Sequence, residues 1–304
     1  FGTRDERILV DLHKMHEGRQ TAVTMVSYLE QPKDGKTFKE IAPFPVEGPK
    51  EYADLIFDKI QDIVDAHSTY LALARTPDEL LANKKAGKHT IMLGIENGQA
   101  FDHSLDNIDH FAKRGIVYTT LCHNGDNDIC DSARGTQTWG GVSPFGREVI
   151  ARMNKLGIMV DLSHAAESSF YDALELSTKP IVCYHSSCRA LCDHVRNLTD
   201  DQIRAMIQYG GYIGVNFYPR FLSADCKADS VTIAQHIDHI CQLGGSDIVG
   251  FGSDFDGIEV SPDDVRNPAE LPNLLTALRN YGYNDESIER ICGGNLKAYF
   301  ARLK

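Results

Sequence analysis

The sequence lacks the features that would assign it to a membrane or to nucleic acid. No apolar run approaches the roughly 20 residues that a membrane-spanning helix requires, so no membrane span is expected. No basic stripe is present, and 43 acidic residues against 31 basic ones give a net charge of −12. We therefore expect no nucleic-acid partner.

Cysteine pairs with metal-binding spacing are also absent. None of the eight cysteines belongs to a CxxC pair, so a thiolate zinc site is not expected. Several cysteines lie in apolar runs such as "IVCYHSS" and "YTTLCHN", which predicts free, buried thiols. The chain shows no signal peptide, but it begins with Phe1 rather than Met, so this end does not indicate a compartment. The sequence therefore leaves open whether the protein is cytoplasmic, periplasmic or secreted.

Short apolar, β-branched runs alternate with longer amphipathic stretches along the whole chain. Such runs are typical of strands buried on both faces of a parallel sheet, and the alternation predicts an α/β fold. The length of 304 residues suits one domain, residues 1–304, folded as a (β/α)8 TIM barrel. We predict strands at 21–29, 89–96, 116–123, 158–164, 180–187, 212–218 and 248–254. Predicted helices cover 51–74, 143–157, 199–211 and 229–245.

Ionisable side chains stand at or just after the ends of five predicted strands. They are Glu96, His123, His164, His185, Asp254 and Asp256. In a barrel of this kind those ends face one rim, where the active site is assembled. Imidazole and carboxylate ligands together suit zinc or a similar divalent ion, which can activate water for hydrolysis. The residues alone therefore predict a metal-dependent hydrolase.

Longer motifs resemble the membrane dipeptidase (renal dipeptidase) family of zinc peptidases, within the amidohydrolase-type barrels. From about residue 8 to the C-terminus the matching segments follow the family's order: "GIENG", "TTLCHNGDNDICDSA", "GVSPFGREVIARMNKLGIMVDLSHA", "PIVCYHSSCRALCDHVRNLTDDQI", "GGYIGVNF", "VGFGSDFDGI" and "GGNLKAYF". The resemblance implies a zinc dipeptidase that often accepts a D-residue on the C-terminal side and acts through a metal-bridging hydroxide. It also implies a homodimer.

The resemblance implies metal ligands and a substrate-binding histidine. Glu96 matches the glutamate that bridges two zinc ions, and His164 and His185 match the histidines that complete the second metal's shell. His123 matches a histidine that binds the substrate near the scissile amide and can stabilise the oxyanion.

Two further residues match family positions that handle the substrate. Arg196, in "HVRN", matches the arginine that grips the substrate's C-terminal carboxylate, a task that suits a planar, always-charged guanidinium. Asp254 matches the aspartate that acts as general base and acid.

The His-x-Asp pair of the family's first strand is not found. In "VDLHKMHEGR" (10–19), Met15 stands where aspartate is required, and a thioether is a poor substitute at zinc. The stretch instead resembles the family's "VDLxKMxEGG" segment, which belongs to the second βα unit. His13 and His16 are then not ligands, and 21–29 is the second strand.

Seven predicted strands leave a barrel one strand short. The missing strand is either "RILVDL" at 7–12 or, as the register favours, a segment upstream of Phe1 that carries the remaining zinc ligands. One zinc site would then be complete in this chain. The alternative is a homologue that lacks the segment by nature, and the coding sequence ahead of Phe1 decides between them.

Several interpretations stay open beside the zinc dipeptidase. Asp256 is expected to be structural, the "HIDH" helix face at 236–239 to lie at the surface, and the "NLT" pattern at Asn197 not to be a glycosylation site. Trp139 is assigned either to the substrate pocket or to the core. The alternative functions are an inactive barrel that binds a ligand or a partner protein, and an amidohydrolase acting on another small amide.

Overall fold

The computed structural model describes Phe1–Leu303, over which strands and helices alternate as an α/β fold. The strands are β1 (Ala22–Tyr28), β2 (Leu71–Leu73), β3 (His89–Glu96), β4 (Ile116–Thr120), β5 (Met159–Asp161), β6 (Val182–Cys183), β7 (Tyr212–Asn216) and β8 (Val249–Gly252). The helices are α1 (Leu12–Glu17), α2 (Phe38–Ile41), α3 (Pro49–Ala66), α4 (Pro77–Lys85), α5 (Leu105–Arg114), α6 (Pro144–Leu156), α7 (Glu167–Leu176), α8 (Asp200–Gln208), α9 (Pro219–Leu222), α10 (Ser230–Gln242), α11 (Leu271–Asn280), α12 (Asp285–Glu289) and α13 (Asn295–Arg302).

The chain divides into two compact units. The β1–β5 unit comprises Ala22–Ile181 with Leu303, and the β6–β8 unit comprises Phe1–Thr21 and Val182–Arg302. In the β1–β5 unit, β3 pairs in parallel with β1 and β4, β4 pairs with β5, and β2 pairs with the beginning of β3. In the β6–β8 unit, β7 pairs in parallel with β6 and β8. Because the pairing is parallel, the carboxyl ends of the strands within a unit lie at one edge. That the chain is one domain stays a prediction.

The seven predicted strands are all present, and most are shorter than predicted. The structure adds β2, which falls inside the predicted helix 51–74. That prediction is wrong beyond Ala66, because Leu71–Leu73 pairs with His89–Ile91 of β3 instead of continuing α3. The apolar residues of "YLALA" keep the helical spacing of α3, so the pattern alone does not show where the helix ends.

The helix α6 begins and ends as its sequence predicts. Ser143 accepts a hydrogen bond from the Gly146 amide through its hydroxyl at 2.9 Å, and Pro144 occupies the first turn. Gly157 ends the helix with φ 70°, a left-handed conformation that glycine adopts without strain. The predicted helices at 199–211 and 229–245 are confirmed as α8 and α10.

The segment "RILVDL" at 7–12 is not a strand. Asp11 instead caps α1, accepting from the Lys14 amide at 2.9 Å. The Lys14 ammonium is buried, lies 3.0 Å from the Asp11 carboxylate and donates to the carbonyls of Asp5 and Ile8 at 2.6 Å each. The N-terminal segment therefore folds around one buried lysine.

Aromatic rings hold the helices of the β1–β5 unit against each other. Phe57 of α3 packs edge-on against Phe111 of α5 with ring centroids 5.9 Å apart, and both rings are almost fully buried. Burial of such side chains contributes roughly 2 kcal/mol each. Over Phe1–Leu303, none of the helices combines the length and the apolar character needed to cross a membrane.

Candidate metal centre and substrate site

Glu96 and His164 meet at the carboxyl edge of the β1–β5 unit. Glu96 is the last residue of β3 and lies in register with Tyr28 of β1 and Thr120 of β4. His164 follows β5, and its left-handed φ of 71° is rare for a residue with a side chain. Its Nε2 lies 3.1 Å from Glu96 Oε1, and both side chains are largely buried. Strand register and a strained backbone thus bring the two predicted ligands together.

The hydrogen bond made by Nδ1 of His164 indicates what the Glu96–His164 pair is suited to bind. Nδ1 lies 3.2 Å from Asn124 Oδ1, an amide oxygen that can only accept a hydrogen bond. When Nδ1 donates to this oxygen, Nε2 of a neutral ring presents a lone pair to the Glu96 carboxylate. Two acceptors at 3.1 Å repel each other unless a proton or a cation lies between or beside them. An imidazole oriented through its other nitrogen, next to a carboxylate, is the donor set that divalent zinc prefers.

His123 lies beside the same pair, in the loop that follows β4. Its ring centroid is 4.4 Å from that of His164 and 4.8 Å from that of Tyr28. The Tyr28 hydroxyl is 3.5 Å from His123 Nδ1. Burial and the neighbouring Glu96 carboxylate raise the pKa of Tyr28, so this residue is a neutral phenol.

The loop after β4 is held by hydrogen bonds within itself. Ser132 donates through its hydroxyl to the His123 carbonyl. Asp126 accepts from the amides of Ser132, Thr136 and Thr138 at 2.8, 2.9 and 3.0 Å. Burial opposes ionisation of Asp126, but these N–H donors outweigh it and lower the pKa of the carboxyl group. His123 is therefore presented by a pre-ordered loop.

The β6–β8 unit carries the remaining predicted residues. His185 follows β6 and is buried, and its carbonyl accepts from Arg196 Nη2 at 3.4 Å. The Arg196 guanidinium is itself buried and lies over the Phe221 ring, 5.4 Å from the centroid. A charged, planar group is thus fixed in the same loop as a predicted metal ligand.

Asp254 and Asp256 share the turn after β8, and both have left-handed φ values, 58° and 65°. Asn216, the last residue of β7, donates from Nδ2 to Asp254 Oδ2 at 2.9 Å. Asp256 accepts from the amides of Leu9 and Val10 at 2.6 and 2.9 Å. Asp256 is therefore structural, as predicted, and Asn216 is a partner of Asp254 that the sequence did not reveal.

The prediction for the "HIDH" helix face is wrong at His236. This side chain is fully buried, accepts from the Cys188 amide at Nδ1 and donates to the Leu222 carbonyl from Nε2, both at 3.0 Å. Burial lowers the pKa of His236 to about 4. The helical spacing showed that His236 and His239 share a face, but not that this face packs against the loop after β6.

Asn197 and Trp139 have defined environments. Asn197 is buried, and its Nδ2 donates to the carbonyls of Cys192 and Phe221 at 2.8 Å each, so this nitrogen is not available for glycosylation in the folded chain. Trp139 is 46% exposed and donates from its indole nitrogen to the Asn127 carbonyl at 2.8 Å, so it is not a core residue.

His13 and His16 lie exposed on α1, and that they are not ligands stays a prediction. The prediction for the cysteines agrees with the structure. The cysteines are free, and five of them are buried: Cys122, Cys130, Cys183, Cys188 and Cys192.

The predicted site residues fall into one group in each unit. Glu96, His123 and His164 come together in the β1–β5 unit, while His185, Arg196 and Asp254 lie in the loops after the strands of the β6–β8 unit. Within the β1–β5 unit, Glu96 and His164 carry side-chain atoms of the kind that can ligate a metal ion, and His185 carries a buried imidazole in the β6–β8 unit.

The chain is similar to known dipeptidases in sequence and fold. It is 31% identical to the dipeptidase tcpJ of Claviceps purpurea over 97% of this chain and 69% of that protein, and 37% identical to an uncharacterised dipeptidase of Schizosaccharomyces pombe over 72% of this chain. That alignment spans about half, 54%, of the second relative's length. A metallo peptidase of Rhodobacter sphaeroides, solved with a phosphinate mimic of the dipeptide L-Ala-D-Ala, superposes with a TM-score of 0.87 at 26% identity, over 99% of this chain and 92% of that one.

These likenesses confirm the α/β, TIM-barrel-type fold class and the resemblance found in the motifs. The model of the membrane dipeptidase family, peptidase family M19, matches residues 3–300, which is nearly the whole chain. The chain therefore belongs to the membrane dipeptidase family of metallopeptidases.

Proposed function

We propose that the protein is a zinc-dependent dipeptidase whose metal ligands are Glu96, His164 and His185. The observation that carries the proposal is the 3.1 Å approach of His164 Nε2 to Glu96 Oε1 while Nδ1 is bound to Asn124. That arrangement places two electron-rich atoms, His164 Nε2 and Glu96 Oε1, side by side where both side chains are largely buried. A divalent cation bound to both atoms would stabilise it. Membership of a metallopeptidase family supports the same assignment.

His123 would act on the scissile amide beside the metal ion that Glu96, His164 and His185 would hold. A bound zinc ion supplies Lewis acidity, which polarises an amide carbonyl and acidifies water. His123, held beside His164 by the loop after β4, would donate a hydrogen bond to the carbonyl oxygen as it gains negative charge. The loop is already ordered by Asp126 and Ser132, so little reorganisation is needed during the reaction.

Arg196 would bind the free carboxylate of the dipeptide. A guanidinium remains charged at every physiological pH and matches a carboxylate with two parallel N–H donors. Its burial and its contact with Phe221 fix the orientation of the fork. A longer peptide has an amide where the dipeptide has this carboxylate, so Arg196 would restrict the enzyme to dipeptides.

Asp254 would move the protons, taking one from the attacking water and giving it to the leaving amine. Asn216 orients the carboxylate by its 2.9 Å hydrogen bond. We expect dipeptides with a C-terminal D-residue to be accepted, since a structural relative was solved with a mimic of L-Ala-D-Ala. A homodimer, implied by the family resemblance, is part of the same proposal.

Hydrolysis of L-Ala-L-Ala and L-Ala-D-Ala by the zinc-loaded protein tests the proposal, with the dipeptide amide and a tripeptide as matched controls. We expect turnover of dipeptides only, loss of turnover on chelation and recovery with zinc. Zinc content is measured in the same samples. Bound zinc without hydrolysis of any dipeptide would contradict the proposal.

A further inference from the structure

Asn97, the residue that follows Glu96, has an unusual backbone and a fully buried side chain. Its φ of 82° and ψ of 103° lie in a region that residues with a Cβ rarely adopt, and its side chain is 0% exposed. Such strain costs of order 1–3 kcal/mol and persists only where the surroundings enforce it. The contacts of the Asn97 carboxamide should therefore show what enforces this conformation.

The Asn97 carboxamide uses its full hydrogen-bonding capacity. Nδ2 donates to the Leu29 carbonyl at 3.1 Å and to Gln31 Oε1 at 3.0 Å. Oδ1 accepts from the Gln99 amide at 3.2 Å and from Asn127 Nδ2 at 2.9 Å. Two donors and two acceptors are the whole inventory of this side chain.

These partners belong to the ends of three neighbouring strands. Leu29 follows β1, and its backbone amide donates to the Glu96 carbonyl at 3.0 Å. Since the Leu29 carbonyl accepts from Asn97, Glu96 and Asn97 together bind both backbone polar groups of Leu29. On the other side, Asn127 belongs to the loop that carries His123, and it also donates to the Leu121 carbonyl at the end of β4. Asn97 therefore links the β3 end that bears Glu96 to the chain on both sides.

We propose that Asn97 is a positioning residue, whose buried carboxamide fixes the Glu96 carboxylate and the His123 loop in the geometry that metal binding and hydrolysis require. The inference rests on the proposed dipeptidase function and adds a residue that touches neither metal nor substrate. Groups that orient metal ligands typically change metal affinity or activity by 10- to 100-fold when removed. A carboxamide in a fully satisfied network is suited to this because any displacement breaks several hydrogen bonds at once.

The variant Asn97→Gly removes the carboxamide without adding backbone strain, since glycine adopts the positive φ readily. We expect its zinc dissociation constant, measured by competition with a chromogenic chelator, to rise at least tenfold. With zinc saturating, kcat for L-Ala-D-Ala should fall at least tenfold while KM changes less than threefold. The visible spectrum of the cobalt(II)-loaded variant should also differ from that of the wild type, reporting altered ligand geometry.

Asn154→Ala is the matched control. Asn154 is a buried asparagine of the same unit whose carboxamide bonds to Ile150, Ser177 and Thr178, but it precedes β5 and lies at the opposite edge of the sheet. The Asn154→Ala variant should lower Tm at least as much as Asn97→Gly does. Its zinc affinity, kcat and cobalt spectrum should be those of the wild type.

The positioning role of Asn97 and the proposed function can fail independently. Wild-type zinc affinity, kcat and cobalt spectrum in Asn97→Gly would overturn the positioning role while the dipeptidase stands. Equal losses in both variants would show that Asn97 acts only through global stability, which also overturns the role. A wild-type protein that neither holds zinc nor hydrolyses dipeptides would instead reject the proposed function.

Discussion

Asn216 Nδ2 donates to Asp254 Oδ2 at 2.9 Å, which joins the last residue of β7 to the turn after β8. The same asparagine accepts from the Tyr218 amide through Oδ1 at 2.6 Å, so its carboxamide cannot turn over without losing both bonds. The proposed proton carrier is therefore held by a residue that cannot itself ionise.

Asn216→Ala should lower kcat about tenfold, because the Asp254 carboxylate loses the donor that orients it. KM should stay within twofold, since Arg196, the proposed carboxylate-binding residue, is unchanged. Steady-state kinetics on L-Ala-D-Ala give both values. Asn273→Ala, which removes an exposed carboxamide from the same unit, should keep wild-type kinetics. A KM effect larger than the kcat effect would contradict the orienting role.

Arg196→Lys should raise KM for dipeptides by roughly 10- to 100-fold, because an ammonium cannot make the two parallel hydrogen bonds of a guanidinium to a carboxylate. Lysine is a better replacement than alanine for this test, since it keeps a positive charge at the buried position. Initial rates over a range of dipeptide concentrations measure the effect, with Arg220→Lys, an exposed arginine of the same unit, as the control. An unchanged KM would rule out carboxylate binding by Arg196.

His236 makes stability depend on pH on the acid side. Burial lowers its pKa from 6.5 to about 4, so between these values the unfolded chain takes up a proton that the folded chain does not. Stability is thus lost as pH falls from about 6.5 towards 4, by up to roughly 3 kcal/mol from this residue. Urea unfolding of the wild type and of His236→Gln across this range should show a shallower acid slope in the variant. Equal slopes would mean that His236 is not buried in its neutral form.

Lys14→Met should destabilise the fold by roughly 3 kcal/mol, because it leaves the Asp11 carboxylate buried without its counter-charge. The carbonyls of Asp5 and Ile8 lose their donor as well. The free energy of unfolding from urea titration is the measurement, and Lys227→Met, an exposed lysine of the same unit, should leave it within about 0.5 kcal/mol. A loss of less than 1 kcal/mol would mean that Lys14 is not the anchor of the N-terminal segment.

The sequence indicates which ionisable residues lie at the carboxyl ends of the strands, but it does not indicate which carboxamides hold them. Glu96, His123 and His164 could be placed together because parallel strands align their carboxyl ends and ionisable groups there stand out against apolar runs. Asn97 and Asn216 give no comparable signal, since asparagine is common in turns and their carboxamides bond to a mixture of backbone groups and distant side chains that no residue pattern pairs. His236 was missed for a related reason: a helix face that packs against a loop has no periodic partner in the sequence.

The Asp256 carboxylate, bound to the amides of Leu9 and Val10, has a practical consequence. Asp254 is two residues away, so displacing the segment before α1 would remove two hydrogen bonds from the turn that carries the proposed proton carrier. We therefore expect a protease cut near Ile8, or a bulky label in that segment, to lower activity although it touches none of the proposed metal ligands.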